Sequence, residues 1–237
     1  MNKDNYLSNH LLTYIGNKRK LLPFIEKEII TIKHLLNKEL VSIADLFSGS
    51  GSVSRLCKYH SHTLYVNDLE NYSYMINQCY LINSKDKDII KKSIDELNNL
   101  DYTKEGIICN YYSPKNTKDI QENERVFYTR ENALIIDTIR DKINTYPKNI
   151  QPYLLGPLLI KAGRHTNTSG IFRGFHKKDT IGHFGGKNEN DLGRICGEIK
   201  LEYPIYSTQS HNCDVNIYKQ DTNQLIRKLP FVDIIYL

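Results

Sequence analysis

The sequence predicts an α/β protein: a doubly wound, mostly parallel sheet interrupted by an inserted, largely helical and loop-rich segment. Three observations predict it. Two apolar runs, residues 41–44 and 63–66, each end on an acidic position, Asp45 and Asp68, with a helical stretch between them. That is the opening of a strand–helix–strand unit, which implies parallel strands with helices on both faces. The alternation breaks near Asp101 and resumes only at Asp214. The run 231–237 is then continuously apolar around Asp233, the pattern of a central strand buried on both faces.

In chain order, Leu22, Ile25, Ile29 and Ile32 fall at helical spacing, which places a helix start near Gly16 or Asn17. The strand 41–44 opens onto Asp45-Leu46-Phe47-Ser48-Gly49-Ser50-Gly51. Glycine allows both a sharp turn at positive φ and close approach of a ligand to the main chain, so a nucleotide-like ligand fits here, although many such turns only reverse the chain. In an open parallel sheet both strand ends face one crevice, where Asp68 can accept hydrogen bonds from a ribose diol; it equally suits a helix N-cap. Helices follow over 69–81, with Tyr72, Met75, Ile76 and Cys79 on one face, and over 87–97, with Ile89, Ile90, Ile94 and Leu97. Within the insertion, amphipathic helices are expected over 130–146 and 150–162. From 163 to 193 seven glycines break any regular pattern. There Phe172, Phe175 and Phe184 interleave with Arg173, His176, Lys177, Lys178 and His183, which suits phosphate contacts with base stacking, or a solvated basic loop anchored by its phenylalanines. A strand at 215–218 ending near Asp221, a short helix through Leu225, Ile226 and Leu229, and the strand 231–237 complete the pattern.

Composition sets outer bounds. With 237 residues and 40% hydrophobic content the chain is an ordinary globular one, large enough for one domain carrying an insertion. No apolar run approaches the roughly 20 residues of a membrane helix, and the polar N-terminus lacks a signal-peptide core, so a cytoplasmic protein without membrane contact is expected. Cys57, Cys79, Cys109, Cys196 and Cys213 are odd in number and show neither a disulfide framework nor zinc-ligand spacing. The formal charge is +5, and residues 161–200 hold eight basic against four acidic residues, most of that excess.

Taken in order, Tyr14-Ile15-Gly16-Asn17-Lys18, then Asp45 to Gly51, then Asn67-Asp68, with an insertion afterwards, resemble the Dam-like DNA adenine methylases, adenine-specific DNA methyltransferases with a Rossmann-like fold. The resemblance covers essentially the whole chain. It implies S-adenosylmethionine as methyl donor, the exocyclic amino group of adenine as acceptor, double-stranded DNA as partner, and room for a cognate restriction endonuclease. Carried over by position, Tyr14 and Lys18 are cofactor contacts, with Tyr14 standing where the family often has tryptophan. Asp45, Phe47, Gly49 and Gly51 correspond to the methionine-side loop, Asp68 to the ribose-binding acid and Asp221 to the acid beside the cofactor's adenine. The resemblance divides the chain into a cofactor domain, 1–101 with 214–237, and a target-recognition insertion, 102–213. On chemistry, Tyr128, Arg130, Arg164, Arg173, Lys177, Lys178 and Lys187 are its DNA-facing candidates, since arginine reads guanine edges while lysine positions phosphates.

The family pattern departs at one place. Its strand matching 231–237 is followed by Asp-Pro-Pro-Tyr or a close relative, which positions the flipped adenine. No such tetrapeptide occurs in residues 1–237, so no catalytic residue is assigned and methylation by this chain alone is expected to be negligible. A non-catalytic DNA- or cofactor-binding module, or one half of a split enzyme, stays open beside the methyltransferase reading. A Rossmann dehydrogenase is the poorer fit, because Arg55-Leu56 stand where a third glycine is due.

Overall fold

A computed structural model describes residues 5–12, 16–169, 174–186, 188–209 and 211–237. The chain forms two compact units, one of residues 1–85 with 204–237 and one of residues 86–203. On sequence pattern the boundaries fall at 101/102 and 213/214; the units instead change over at 85/86 and 203/204. The helix 87–97 accounts for the first difference, because it packs within the second unit on the helix that ends at Arg164.

The first unit opens with α1 (Asn5–Ser8), a 3₁₀ turn (Lys18–Leu21) and α2 (Leu22–Leu35), then runs β1 (Val41–Asp45), α3 (Ser52–His60), β2 (Ser61–Asn67) and α4 (Asn71–Leu81). α2 carries Pro23 in its first turn, where the missing N–H costs nothing. β1 is buried along its whole length, as a central parallel strand should be. It pairs in parallel with β2 through Ala44–Tyr65 and Asp45–Val66. Successive residues of β1 face opposite layers: Val41 and Ile43 join Ile25, Ile29, Val53, Leu56, Leu64 and Val66 in one core, while Ala44 joins Leu46 and Leu225 in the other.

An arginine closes the amino end of this unit. Arg55, 2% exposed, donates to the carbonyls of Tyr6 and, at 3.1 Å, Asn9. Its guanidinium carbon lies 5.6 Å from the Tyr6 ring centre, and Tyr6 Oη donates to the Tyr80 carbonyl at 2.5 Å. A buried cation is costly unless its donors are engaged, and here the first described segment engages both terminal nitrogens, while among the described residues Nε has no partner.

The second unit contains α5 (Lys87–Leu97), α6 (Ile107–Tyr112), α7 (Arg130–Ile143), α8 (Gln151–Arg164), a hairpin of β3 (Lys177–Lys178) and β4 (Ile181–Gly182), and α9 (Leu192–Cys196). The irregular connections are held by asparagines, Asn98 half-buried and Asn132 and Asn167 buried, that take the part of backbone partners. Asn98 accepts from Leu201 N at 2.8 Å and donates to Leu201 O at 3.0 Å. Asn132 donates to the Ile195 and Gly197 carbonyls and accepts from Ile199 N at 3.0 Å. Asn167 donates to the Val126 and His183 carbonyls, both at 2.8 Å. Asn132→Ala leaves three backbone groups without partners and is expected to lower stability by about 2–4 kcal/mol. Urea unfolding measures this, and a loss below about 1 kcal/mol would contradict it.

The chain returns to the first unit with β5 (Asp214–Tyr218), α10 (Thr222–Leu225) and β6 (Ile234–Tyr236). The sheet order is β5-β2-β1-β6, all parallel, with α2 and α3 packed on one face and α10 on the other. The run 231–237, expected as a central strand, is three residues of strand pairing β1 alone among the described residues. Ile235 is 45% exposed, and Phe231, which precedes the strand, is 91% exposed, unlike the both-face burial expected of a central strand. Its start is pinned by Asp233, which accepts from Ser42 N at 2.8 Å and from Lys38 Nζ at 2.6 Å. Among the described residues no helix is long and apolar enough to cross a membrane.

Candidate functional site

Where β1 ends, the chain cannot continue as strand, because Gly49 at φ +51° and Gly51 at φ +71° turn it into the start of α3. The turn is fixed from three sides. Leu46 N donates to Tyr236 O at 3.2 Å and Ser48 N to Asn67 O at 3.0 Å. Gly49 N donates to Asp68 Oδ2 at 2.7 Å. From beneath, Ser73 Oγ donates to the Gly49 carbonyl at 2.6 Å, and Asn77 Nδ2 donates to Ser48 Oγ at 2.8 Å. A Cβ on Gly51 would stand 2.3 Å from Asn77 Oδ1.

The turn borders a cleft of about 310 Å³ lined by Gly16–Lys18, Asp45, Phe47–Ser50, Ser52, Val53, Tyr236 and Leu237. That volume lies at the lower end of small-molecule sites. Wider hollows of about 510 and 530 Å³ occur in the second unit, but no glycine turn borders either of them. At the foot of the cleft Asp45 is 1% exposed. Its Oδ2 accepts from Ser54 Oγ at 2.5 Å, whereas among the described residues its Oδ1 has no hydrogen-bond partner. Burial pushes this carboxyl up to about 6, against the hydrogen bonds from Ser54 and Phe47 N, with Asp68 adding to the rise. An unpaired buried carboxylate oxygen is costly and fits a site completed by a ligand's positive or donor group. Lys18, exposed at the rim, supplies the opposite charge.

The residues expected from sequence are thus partly assembled. Lys18, Asp45, Phe47 and Gly49 line the cleft, and Gly51 starts the helix behind it. Asp68 does not line it: Oδ2 holds Gly49 N and Oδ1 accepts from Glu70 N at 2.9 Å. The strand end at Asp68 therefore serves the turn itself. Asp221 is an exposed N-cap, accepting from Asn223 N at 2.9 Å and Gln224 N at 3.2 Å. Tyr14 lies outside the described residues, as do Arg173 and Lys187. In the second unit Tyr128 is 5% exposed, its phenol pushed up by burial. Arg130 pairs with Glu105 and donates to the Cys109 carbonyl at 3.0 Å. Tyr128 is thus packed away from solvent, whereas Arg130 is half-buried with its guanidinium engaged. Arg164, Lys177 and Lys178 are exposed, and Lys177 Nζ sits 5.3 Å from the Phe175 ring centre.

Sequence alone assigns no role to several further contributors, although Asn17 lies in the 14–18 motif and Tyr236 in the 231–237 run. Asn17 accepts from Arg19 N at 2.9 Å and reaches Ser52 Oγ at 3.5 Å, closing one wall. Tyr236 enters because its strand pairs with Asp45. Ser73 and Asn77 lie one helical turn apart on α4, a spacing visible in the sequence only once the turn they face is known.

The family model for D12 class N6 adenine-specific DNA methyltransferases matches residues 14–237. Over 235 residues the chain is 29% identical to the type II methyltransferase M.NlaIII of Neisseria lactamica, covering 95% of this chain and 63% of that protein. Over 170 residues it is 31% identical to the type II methyltransferase M.CviAII of Paramecium bursaria Chlorella virus 1, covering 70% of this chain and 49% of that protein. The chain therefore spans between 49% and 63% of the length of these curated relatives.

Proposed function

The chain belongs to the D12 class N6 adenine-specific DNA methyltransferases, and from that premise we propose that the cleft at the end of β1 holds S-adenosylmethionine for transfer of its methyl group to the exocyclic amino group of adenine in duplex DNA. One observation carries this reading: the buried, unpaired Asp45 Oδ1 beside a turn whose glycines leave the main chain open to a ligand. When bound, S-adenosylmethionine supplies an electrophilic methyl group on a sulfonium, so the protein's task is mainly to orient. Asp45 accepts from the amino group at the ligand's methionine end, and Lys18 at the rim pairs with the carboxylate there. Phe47, 62% exposed at the cleft, offers an apolar face to the rest of the ligand. Asp68 keeps the turn in shape through Gly49, and each of its oxygens retains an acceptor site for a ribose hydroxyl.

The second unit is proposed as the target-recognition insertion, with Arg164, Lys177 and Lys178 as its phosphate-contacting residues among those described. Tyr128 and Arg130 are left out of that surface because one is buried and the other paired. The direct test is calorimetric titration of the 237-residue chain with S-adenosylmethionine. Saturable binding that Lys18→Ala weakens about 10-fold is expected from loss of one charge-assisted contact. Unchanged affinity in Lys18→Ala removes that residue from the site, and absence of any binding overturns the cofactor assignment.

A further inference from the structure

From Asn5 to Ile25 the chain contains no acidic residue, and its cations cluster in the single turn Lys18-Arg19-Lys20 at the cleft rim. All three are exposed. The pattern continues into α2: Lys20, in the preceding 3₁₀ turn, is followed at spacings of four and three by Phe24 and Lys27, which lie away from Ile25 and Ile29, buried in the sheet core, with exposed Glu28 beside them. Phe24 is 63% exposed. Among the described residues no carboxylate forms an ion pair with Lys18, Arg19, Lys20 or Lys27, whereas Glu26 on the inner side is taken by His60. An unpaired basic stripe around an exposed aromatic ring suits a polyanion with an apolar sugar face, and this stripe follows directly on Lys18, which borders the cofactor cleft.

We propose that Arg19, Lys20, Phe24 and Lys27 form a second DNA-contacting surface, on the cofactor unit itself, that holds the sugar-phosphate backbone of the duplex beside the cleft. The proposal rests on the reading of the chain as a DNA methyltransferase. It adds a contact made outside the insertion, one that positions any duplex without reading its sequence. Phosphate contacts of this kind act through counterion release, so each cation removed lowers the salt dependence of binding by about one unit of slope.

The test is fluorescence anisotropy of a labelled duplex with the 237-residue chain and with Lys20→Ser/Lys27→Ser, between about 50 and 200 mM salt. The expected result is about 10-fold weaker binding near physiological salt and a slope reduced by about 1–2. S-adenosylmethionine affinity and thermal midpoint stay those of the parent, and Lys20→Arg/Lys27→Arg restores DNA binding. If the parent binds duplex and the serine variant matches it in affinity and slope, the surface is wrong and the methyltransferase reading stands. A parent that binds no duplex at any salt overturns the DNA reading and the surface together. A variant that loses S-adenosylmethionine in parallel also overturns the proposal, since its effect then runs through the cleft.

Discussion

Asp45→Asn is expected to weaken S-adenosylmethionine binding about 100-fold and, at the same time, to make the ligand-free protein more stable at neutral pH. The two effects share one cause. The carboxyl is held at about 6 by burial, against an ordinary value of 3.8. A raised acid favours its protonated form in the fold, so this contribution to stability is fully present below about pH 4 and is lost as the pH rises to about 6, amounting to about 3 kcal/mol. Above that pH the folded protein holds a buried anion with one unpaired oxygen, a strain that asparagine removes. The proposed ligand reverses the balance, because its amino group pairs with the charge and deprotonates the acid on binding. Affinity in the parent should therefore fall about 10-fold for each pH unit below 6, and the asparagine variant should lose that dependence. Calorimetric titration and thermal unfolding between about pH 5 and 8 read both effects. A variant that binds as tightly as the parent, or keeps its pH dependence, would remove Asp45 from the ligand's charge.

Gly51→Ala is expected to cost about 2–4 kcal/mol of stability and to abolish ligand binding. Two penalties add. The left-handed backbone at φ +71° disfavours any Cβ by about 1 kcal/mol, and the new methyl would meet Asn77 Oδ1 at 2.3 Å, an overpacking of about 1–3 kcal/mol. A double-mutant cycle separates them. In Gly51→Ala/Asn77→Ala the collision is gone while the backbone penalty remains, so the double variant should be less damaged than the sum of the singles. Urea unfolding in which Gly51→Ala lies within about 0.5 kcal/mol of the parent would mean that the turn relaxes freely.

How much of this can be read in sequence depends on the range of the interaction involved. The strand ends at Asp45 and Asn67 are readable because an apolar run that stops on an acid and a glycine turn is a local pattern. The helices at 87–97 and 151–164 are readable from periodicity. The bracing of the turn is not, since Ser73 and Asn77 look like ordinary polar positions of α4 until Gly49 is placed above them. Asp68 shows both sides of this. Its acidity and position at a strand end are visible, but that its carboxylate holds Gly49 N emerges only from the parallel packing of β1 on β2. Tyr128 and Arg130 mark a different limit. Aromatic and basic residues interleave alike in a DNA-facing loop and in a packed one, and the contacts of Arg130 with Glu105 and the Cys109 carbonyl have no local signature in the chain. In the same way an apolar run such as 231–237 announces a strand without saying how many neighbours it has.

Asn98 has a consequence beyond its two hydrogen bonds. It joins the first helix of the second unit to Leu201, 103 residues later, and Tyr203 Oη reaches Asp95 at 2.5 Å beside it. The start and the end of the second unit are thus tied to each other within that unit, by Asn98 and by the Tyr203–Asp95 contact together. Residues 99–200 can lengthen, shorten or change their surface without breaking that clasp. A change of length or surface anywhere in that stretch is therefore absorbed inside the second unit, whose beginning and end stay clasped to each other.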